Sequence, residues 1–465
     1  MTARVVVAGT HSGVGKTSVA TGLAAAFAAR GRQVAAFKVG PDFIDPSYHA
    51  IATGRPGRNL DAFLCGPELV RPLFAHGAAG ADLAVVEGVM GLFDGAAGAG
   101  ELASTAQVAK LLDAPVLLVV DARGLGRSVA ALVGGYAAYD RGLRLAGLVL
   151  NQVASDRHEE LLRDALAPLG VPVVAVLRRQ AALATPARHL GLVPAAERRA
   201  EARRTVAALG GALAGAADLD AVAALAGAAP PLAGTPWDPA AALAAVQPAA
   251  GGRPVRVAVA AGPAFTFVYQ EHLELLEAAG AELAGFDPTT DAGLPGGSDA
   301  LYLGGGFPET FGEALAANRP LRAAVRAFAA AGRPLVAECG GLLYLGRSLD
   351  GLPMCGVLPA DARMTGRLSL GYRHARAAGS SVLAEQGQAV AGHEFHYSAM
   401  DPPAGASPAW LLDDRRSGGS RPEGFVAGGV HASYLHAHWA GQPELPARLV
   451  AAARARAAVP VGTAP

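Results

Sequence analysis

Arg4-Val5-Val6-Val7-Ala8 runs directly into Gly9-Thr10-His11-Ser12-Gly13-Val14-Gly15-Lys16-Thr17, and this junction decides the fold. The first five residues read as a strand buried on both faces, and Ser18 to Arg30 reads as the helix that follows. Between them, glycines stand where backbone N–H groups must converge on phosphate oxygens without a Cβ in the way. The helix N-terminus adds its dipole. Gly13, Gly15, Lys16, Thr17 and Ser18 are therefore the candidate nucleotide-binding residues. Lys16 would reach the β- and γ-phosphates of ATP, and the Thr17 hydroxyl would ligate Mg²⁺. Thr10 occupies the first glycine position of the strict loop pattern, with Gly9 one residue earlier; the strand before and the helix after compensate.

Outward from this junction the strand pattern repeats. Val34 to Lys38, Leu83 to Glu87, Val116 to Asp121, Ala146 to Asn151 and Val171 to Leu177 are near-continuous apolar runs separated by stretches long enough for crossover helices. That is an α/β doubly wound parallel sheet. Asp42 and Glu87 follow or end two of these strands, where ligands of open sheets bind, and are candidate metal ligands with Thr17. The dense polar and aromatic segment Asp42-Phe43-Ile44-Asp45-Pro46-Ser47-Tyr48-His49 suits a rigid ligand-contacting loop.

A chain of 465 residues exceeds one typical core. The composition breaks at Ala229-Pro230-Pro231 through Gly251-Gly252-Arg253-Pro254, rich in alanine, proline and glycine. The expected division is residues 1–228, a linker at 229–253 with a loose helix between Pro239 and Val246, and a second α/β domain at 254–460. Its strands are Val255 to Ala260, Ala281 to Phe286, Ala300 to Leu303, Pro334 to Ala337 and Phe425 to Val430. Lys plus Arg number 39 and Asp plus Glu 39, so bulk charge argues against a nucleic-acid or membrane-surface partner. No apolar run reaches about eighteen residues, and the start lacks a signal-peptide pattern. Three scattered cysteines make neither a disulfide framework nor a zinc cluster, and a reducing cytoplasm is the expected location.

Cys339 follows the strand at Pro334 to Ala337 and precedes Gly340-Gly341 and an apolar helix pattern. Strand, tight turn and helix lift a nucleophile out of a sheet, and the helix dipole is expected to lower the thiol pKa. Free cysteines are usually buried core residues, but neither Cys65 nor Cys355 has this setting. A histidine must exchange the proton. His431, His436 and His438 all follow the last strand, and spacing does not choose among them. Gly304-Gly305-Gly306 follows another strand; N–H groups of Gly305, Gly306 and Gly340 are the candidate oxyanion hole.

At these residues the chain resembles the cobyrinic (or hydrogenobyrinic) acid a,c-diamide synthases of cobalamin biosynthesis. The resemblance rests on KVGPDFIDPSYH at Lys38 to His49, VEGVMGLFDG at Val86 to Gly95 and STAQVAK at Ser104 to Lys110, with GGGFPE at Gly304 to Glu309, ECGG at Glu338 to Gly341 and GHEFHYS at Gly392 to Ser398. It spans the chain except the linker and the C-terminal tail. It implies a dethiobiotin synthetase-like first domain and a class I, triad-type glutamine amidotransferase second domain. By that resemblance Cys339 is the nucleophile, and His436 matches the catalytic histidine. Where many relatives carry an acid two residues later, this chain has His438, so a dyad oriented by another group is expected. The implied reaction is ATP- and glutamine-dependent amidation of the a and c acetates of a corrinoid through acyl phosphates. Mg²⁺ is the implied metal, and Asp45, Tyr48, His49 and Asp94 are candidate substrate contacts. A homodimer is an open expectation. The alternatives are a cobyric acid synthase, a nickel-tetrapyrrole a,c-diamide synthase, and a P-loop regulatory binder with an inactive amidotransferase domain. Retention of both Lys16 and Cys339 argues against the last.

Overall fold

The computed structural model describes residues 2–179, 187–188, 191–192, 197–246, 254–414 and 418–457. The chain forms two compact units, Met1–Trp237 and Asp238–Pro465. The division falls inside the segment read as a linker: Trp237 packs in the first unit, its N–H donating to Pro72 O (2.9 Å), and a short helix, Pro239–Ala244, opens the second. The linker residues 247–253 and the expected domain end at 460 lie outside the described residues.

Near-continuous Val, Leu and Ala runs make the strands of the first unit, because a parallel strand covered on both faces has no solvent side to keep polar. These are β1 (Ala3–Gly9), β2 (Val34–Val39), β3 (Arg58–Leu60), β4 (Leu83–Glu87), β5 (Val116–Asp121), β6 (Leu145–Val153) and β7 (Val173–Arg178). All pairings are parallel, in the order β3-β2-β4-β1-β5-β6-β7. The chain leaves β1 to one side, returns at β4 and crosses to β5. That puts the carboxyl ends of β1, β2 and β4 side by side, with Glu87 level with both Val7 and Lys38. The alanine-rich composition serves close helix packing. Gly22 of helix Lys16–Ala29 approaches helix Arg199–Ala216 so closely that a Cβ there would lie 2.9 Å from Leu209 O.

The second unit is built on two sheets. One follows the sequence expectation, with β8 (Val255–Ala260), β9 (Ala281–Phe286), β10 (Ala300–Leu303) and β11 (Leu335–Glu338) in parallel, order β9-β8-β10-β11. The run Phe425 to Val430, expected as one strand, is two. Gly428 (φ 57°) turns the chain between Phe425–Ala427 and Val430–Ser433, which pair antiparallel. The second sheet starts with β12 (Ser348–Leu349), β13 (Leu352–Pro353), the long hairpin β14 (Asp361–Ala377) and β15 (Ala389–Asp401), and the ribbon β16 (Trp410–Asp414) and β17 (Gly419–Glu423). Continuing the count, Phe425–Ala427 is β18 and Val430–Ser433 is β19; both belong to the first sheet. The chain then crosses to the second sheet, where β20 (His436–Ala437) pairs with β15. Among the described residues no helix is long and apolar enough to cross a membrane.

Candidate active sites

In the first unit the loop after β1 ends on Gly15, whose φ of 100° caps the helix beginning at Lys16. A side chain at Gly15 is barred twice, by that φ and by the Asn151 carboxamide, which a Cβ would meet at 2.4 Å. Asn151 Nδ2 donates to Val14 O (2.9 Å) and so ties the loop to the end of β6. Gly13 also has positive φ (77°), and Ser18 lies in the first turn of the helix. Lys16 Nζ folds back over the loop and donates to His11 O (3.1 Å) and Met90 O (2.5 Å). Burial, with Lys38 nearby, lowers the Lys16 ammonium to about 8. Asp94 lies exposed near that ammonium, accepting from Gly91 N (2.9 Å).

Behind the loop the Thr17 hydroxyl lies 2.5 Å from Glu87 Oε1 and 3.2 Å from Asp45 Oδ2. Lys38 Nζ bridges the same two oxygens, at 2.6 Å from Asp45 and 2.7 Å from Glu87, and His49 Nε2 lies 2.8 Å from Glu87 Oε2. Burial alone would push Glu87 up, but Lys38 and His49 hold it well below the usual carboxylate range. Burial and the facing Asp42 and Glu87 push Asp45 up, against the pull of Lys38.

Three expectations are corrected here. Asp42 is not beside Thr17: its Oδ1 accepts from Ile44 N (2.7 Å) and Asp45 N (3.0 Å) as the turn enters helix Asp45–Thr53. The first turn of that helix points Asp45 inward instead. His49, expected to contact substrate, is 1% exposed and lies against Glu87 instead of at an open surface. Tyr48, on the same helix, is 3% exposed and lies near Glu197, Arg198 and Glu201. Lys38 was missed, although a lysine inside an apolar buried strand is a visible signal. The oxygen donors Thr17, Asp45 and Glu87 fit a hard cation such as Mg²⁺. Among the described residues no group of three or more His, Cys, Asp or Glu side chains is placed to hold a metal unaided.

In the second unit β11 ends at Glu338 and the chain reverses through Cys339 (φ 45°, ψ −98°) into helix Gly340–Leu345. A non-glycine residue with that φ is strained, and such strain persists where the surroundings over-determine it. Here Cys339 N donates to Ser433 O (2.7 Å). Gly341 begins the helix so close to β10 that a Cβ would lie 2.4 Å from Leu303 O. Cys339 is 4% exposed, with its sulfur 3.9 Å from Phe395 O on β15. Contrary to the expected lowering, burial pushes the thiol up and Glu309 adds to the rise; the Gly340 N–H works against it. A six-residue helix in dry surroundings does not overcome that desolvation.

Among the three histidines the structure brings His436 to the glycine loop. A Cβ on Gly305 would lie 2.5 Å from His436 Cε1 and 3.4 Å from Nε2. The ring stacks on His393 (centroids 4.9 Å), and its Nδ1 lies 3.6 Å from Glu338 Oε2. His431 is elsewhere, 2.9 Å from Ser381 Oγ, and burial lowers it to about 3. His438 lies 3.6 Å from Glu271 Oε2. Gly305 is corrected as an oxyanion donor, because its N–H donates to Phe267 O (3.1 Å) in a small bridge. Gly306 and Gly340 remain: a Cβ on Gly340 would lie 2.9 Å from Gly306 N. Close by, Glu394 is gripped by Arg373 Nε (2.6 Å) and Arg421 Nη2 (2.7 Å). Neither that group nor the approach of Glu338 to His436 was legible from spacing.

Two family models match the chain: a CobQ/CobB/MinD/ParA nucleotide binding domain over residues 5–193 and a CobB/CobQ-like glutamine amidotransferase domain over residues 256–444. A hydrogenobyrinate a,c-diamide synthase of Streptomyces coelicolor is 56% identical, covering 96% of each chain. One from Mycobacterium bovis is 52% identical, over 96% of this chain and 97% of the other. A cobyrinate a,c-diamide synthase of Syntrophotalea carbinolica is 45% identical, over 95% of this chain and 96% of the other.

Proposed function

The chain belongs to the family of hydrogenobyrinate and cobyrinate a,c-diamide synthases, amidating ligases with a nucleotide-binding and a glutamine amidotransferase domain, and on that premise we propose that it amidates the a and c acetates of hydrogenobyrinate. The higher identity to relatives named for hydrogenobyrinate supports the metal-free ring over cobyrinate. The observation that carries the reading is that one chain holds both a phosphate loop whose Thr17 hydroxyl meets two carboxylates and a strained elbow cysteine beside an imidazole-covered glycine loop.

A carboxylate is a poor acyl donor because oxide is a bad leaving group. Transfer of the ATP γ-phosphoryl group makes an acyl phosphate, and ammonia then displaces phosphate from it. Lys16 and the loop N–H groups neutralise charge as the phosphoryl group moves. Thr17, Asp45 and Glu87 would hold Mg²⁺, which supplies further charge neutralisation on the phosphates when bound. Asp94, exposed and near Lys16, would contact substrate. In the second unit the Cys339 sulfur attacks the glutamine side-chain carbonyl, His436 takes the thiol proton and returns it to the leaving ammonia, and Gly306 and Gly340 N–H groups receive the oxyanion. Water then hydrolyses the thioester to glutamate.

Mass spectrometry of hydrogenobyrinate and cobyrinate incubated with protein, ATP, Mg²⁺ and either glutamine or ammonium tests this. Two successive exchanges of OH for NH₂ are expected, with hydrogenobyrinate the better substrate. Cys339→Ser should lose the glutamine-driven reaction and keep the ammonium-driven one, whereas Lys16→Ala should lose both. Amidation by Lys16→Ala at the wild-type rate would remove the loop from the mechanism.

A further inference from the structure

Trp439, His272, Tyr302 and Glu338 form a chain of buried polar contacts that ends at His436, and its polarity can be read one proton at a time. The backbone N–H of Trp439 can only donate, and it lies 3.1 Å from His272 Nε2. His272 Nε2 is therefore an acceptor. Burial and the nearby His438 lower His272 well below its usual range, against the pull of the Ala437 backbone, so the ring is neutral, and with Nε2 accepting from Trp439 its one proton is on Nδ1. Nδ1 faces the Tyr302 hydroxyl oxygen at 2.8 Å and donates to it. Burial and Glu338 push Tyr302 up, so its hydroxyl keeps its single proton, which then points at Glu338 Oε2, 3.1 Å away. Oε2 is thereby fixed as an acceptor. The atom next to it on the other side is His436 Nδ1, at 3.6 Å.

We infer that Glu338, the residue immediately before Cys339, is the positioning carboxylate of His436, set in place by this directed chain. It occupies the role that the acid two residues after the histidine would have filled. The carboxylate holds the His436 proton on Nδ1, so that Nε2, on the Gly305 edge of the ring, carries the lone pair that exchanges a proton at the reacting atoms. His393 stacked on one face limits rotation of the ring. The 3.6 Å separation is longer than a hydrogen bond, as such contacts are before substrate closes on them. Other ionisable groups around this cluster include Cys339, His393, His438, Tyr269, Glu271 and Glu394. Of these, His438 is placed against Glu271 and His393 against the Tyr269 hydroxyl (3.2 Å), so neither takes the place of Glu338.

This inference rests on the glutaminase reading above, and the test separates the two. Glu338→Gln keeps the side-chain shape and one acceptor but removes the charge. In the full-length protein it should lower kcat for glutamine hydrolysis by roughly tenfold or more, leave KM for glutamine within about twofold, and leave ammonium-driven amidation unchanged. Tyr302→Phe, which keeps the charge, should show a smaller loss in the same direction. In ¹⁵N-histidine-labelled protein, the His436 signal (assigned by its loss in His436→Ala) should report the Nδ1–H tautomer in the wild type and a mixture in Glu338→Gln. Wild-type kcat together with an unchanged tautomer in Glu338→Gln overturns the inference. Should that variant misfold, the same pair of results in Tyr302→Phe overturns it. If Cys339→Ser still hydrolyses glutamine, the glutaminase reading itself falls and takes the inference with it; if Cys339→Ser is inactive, only the role of Glu338 is in question.

Discussion

Single side chains in this protein are tuned by what is buried beside them, and two have consequences measurable as pH dependence. Lys16, lowered to about 8 by burial and Lys38, loses part of its charge just above neutrality. Polyphosphate needs the ammonium, so binding must return the proton. ATP affinity should therefore hold below pH 8 and fall by up to about tenfold per pH unit above it. Calorimetric titration in two buffers of different ionisation heat would show proton uptake at pH 8–9; its absence would refute the assignment. Glu423 behaves in the opposite sense. It accepts from Ser433 Oγ (2.5 Å) and Tyr434 N (2.8 Å), yet burial raises it to about 7. A carboxyl whose folded pKa lies above its unfolded value favours the fold at low pH, and that contribution is lost as pH rises from about 4.5 to about 7. The size is about 3 kcal/mol. Denaturant unfolding at pH 5 and pH 8 should show this fall, and Glu423→Gln should flatten it.

At the level of elements, the elbow depends on how closely helix Gly340–Leu345 can approach β10. Gly341→Ala would place a Cβ 2.4 Å from Leu303 O, a backbone atom that cannot swing aside. Overpacking of this kind costs about 1–3 kcal/mol. We expect a melting temperature several degrees lower, glutamine hydrolysis down by about tenfold or more, and ammonium-driven amidation retained; wild-type hydrolysis would show the helix start to be adjustable. Elements also set what could be read from sequence. Leu83–Glu87, Val116–Asp121, Val255–Ala260 and Ala300–Leu303 were legible to the residue, because a doubly covered strand has no polar face to blur its ends. The hairpin β14–β15 was not. One of its faces is wet, Arg and His interrupt the alternation, and its register slips between Met364 and Ser369. Asp42 and Asp45 exchanged roles for a similar reason: both flank the same helix start, and only the turn geometry decides which one faces inward.

Taken whole, the chain divides its chemistry between two units with separate cores, and each constellation sits where its own sheet ends. The strands, the phosphate loop and the elbow were visible as local patterns. The partners Lys38, Glu338 and Glu394 were not placed by spacing, since each meets its group through tertiary contact. One property does belong to the molecule entire. With formal charge zero and an isoelectric point near 7.2, it has little net repulsion between copies at neutral pH. Light scattering should find self-association strongest near pH 7 and weaker on either side; a monotonic dependence on pH would count against a charge-balanced surface.

The chain leaves the first sheet of the second unit at Ser433, which pairs with Glu338, and enters the second at His436, which pairs with His393. Tyr434 and Leu435 alone span the gap. That tetrapeptide acts as a ruler. Strand side chains alternate faces with each residue, so losing or gaining one residue there would turn the imidazole to the opposite side of its strand. Copying errors that change the number of residues between Ser433 and His436 cannot be absorbed by repacking, and a lineage that keeps this activity is bound to keep the count.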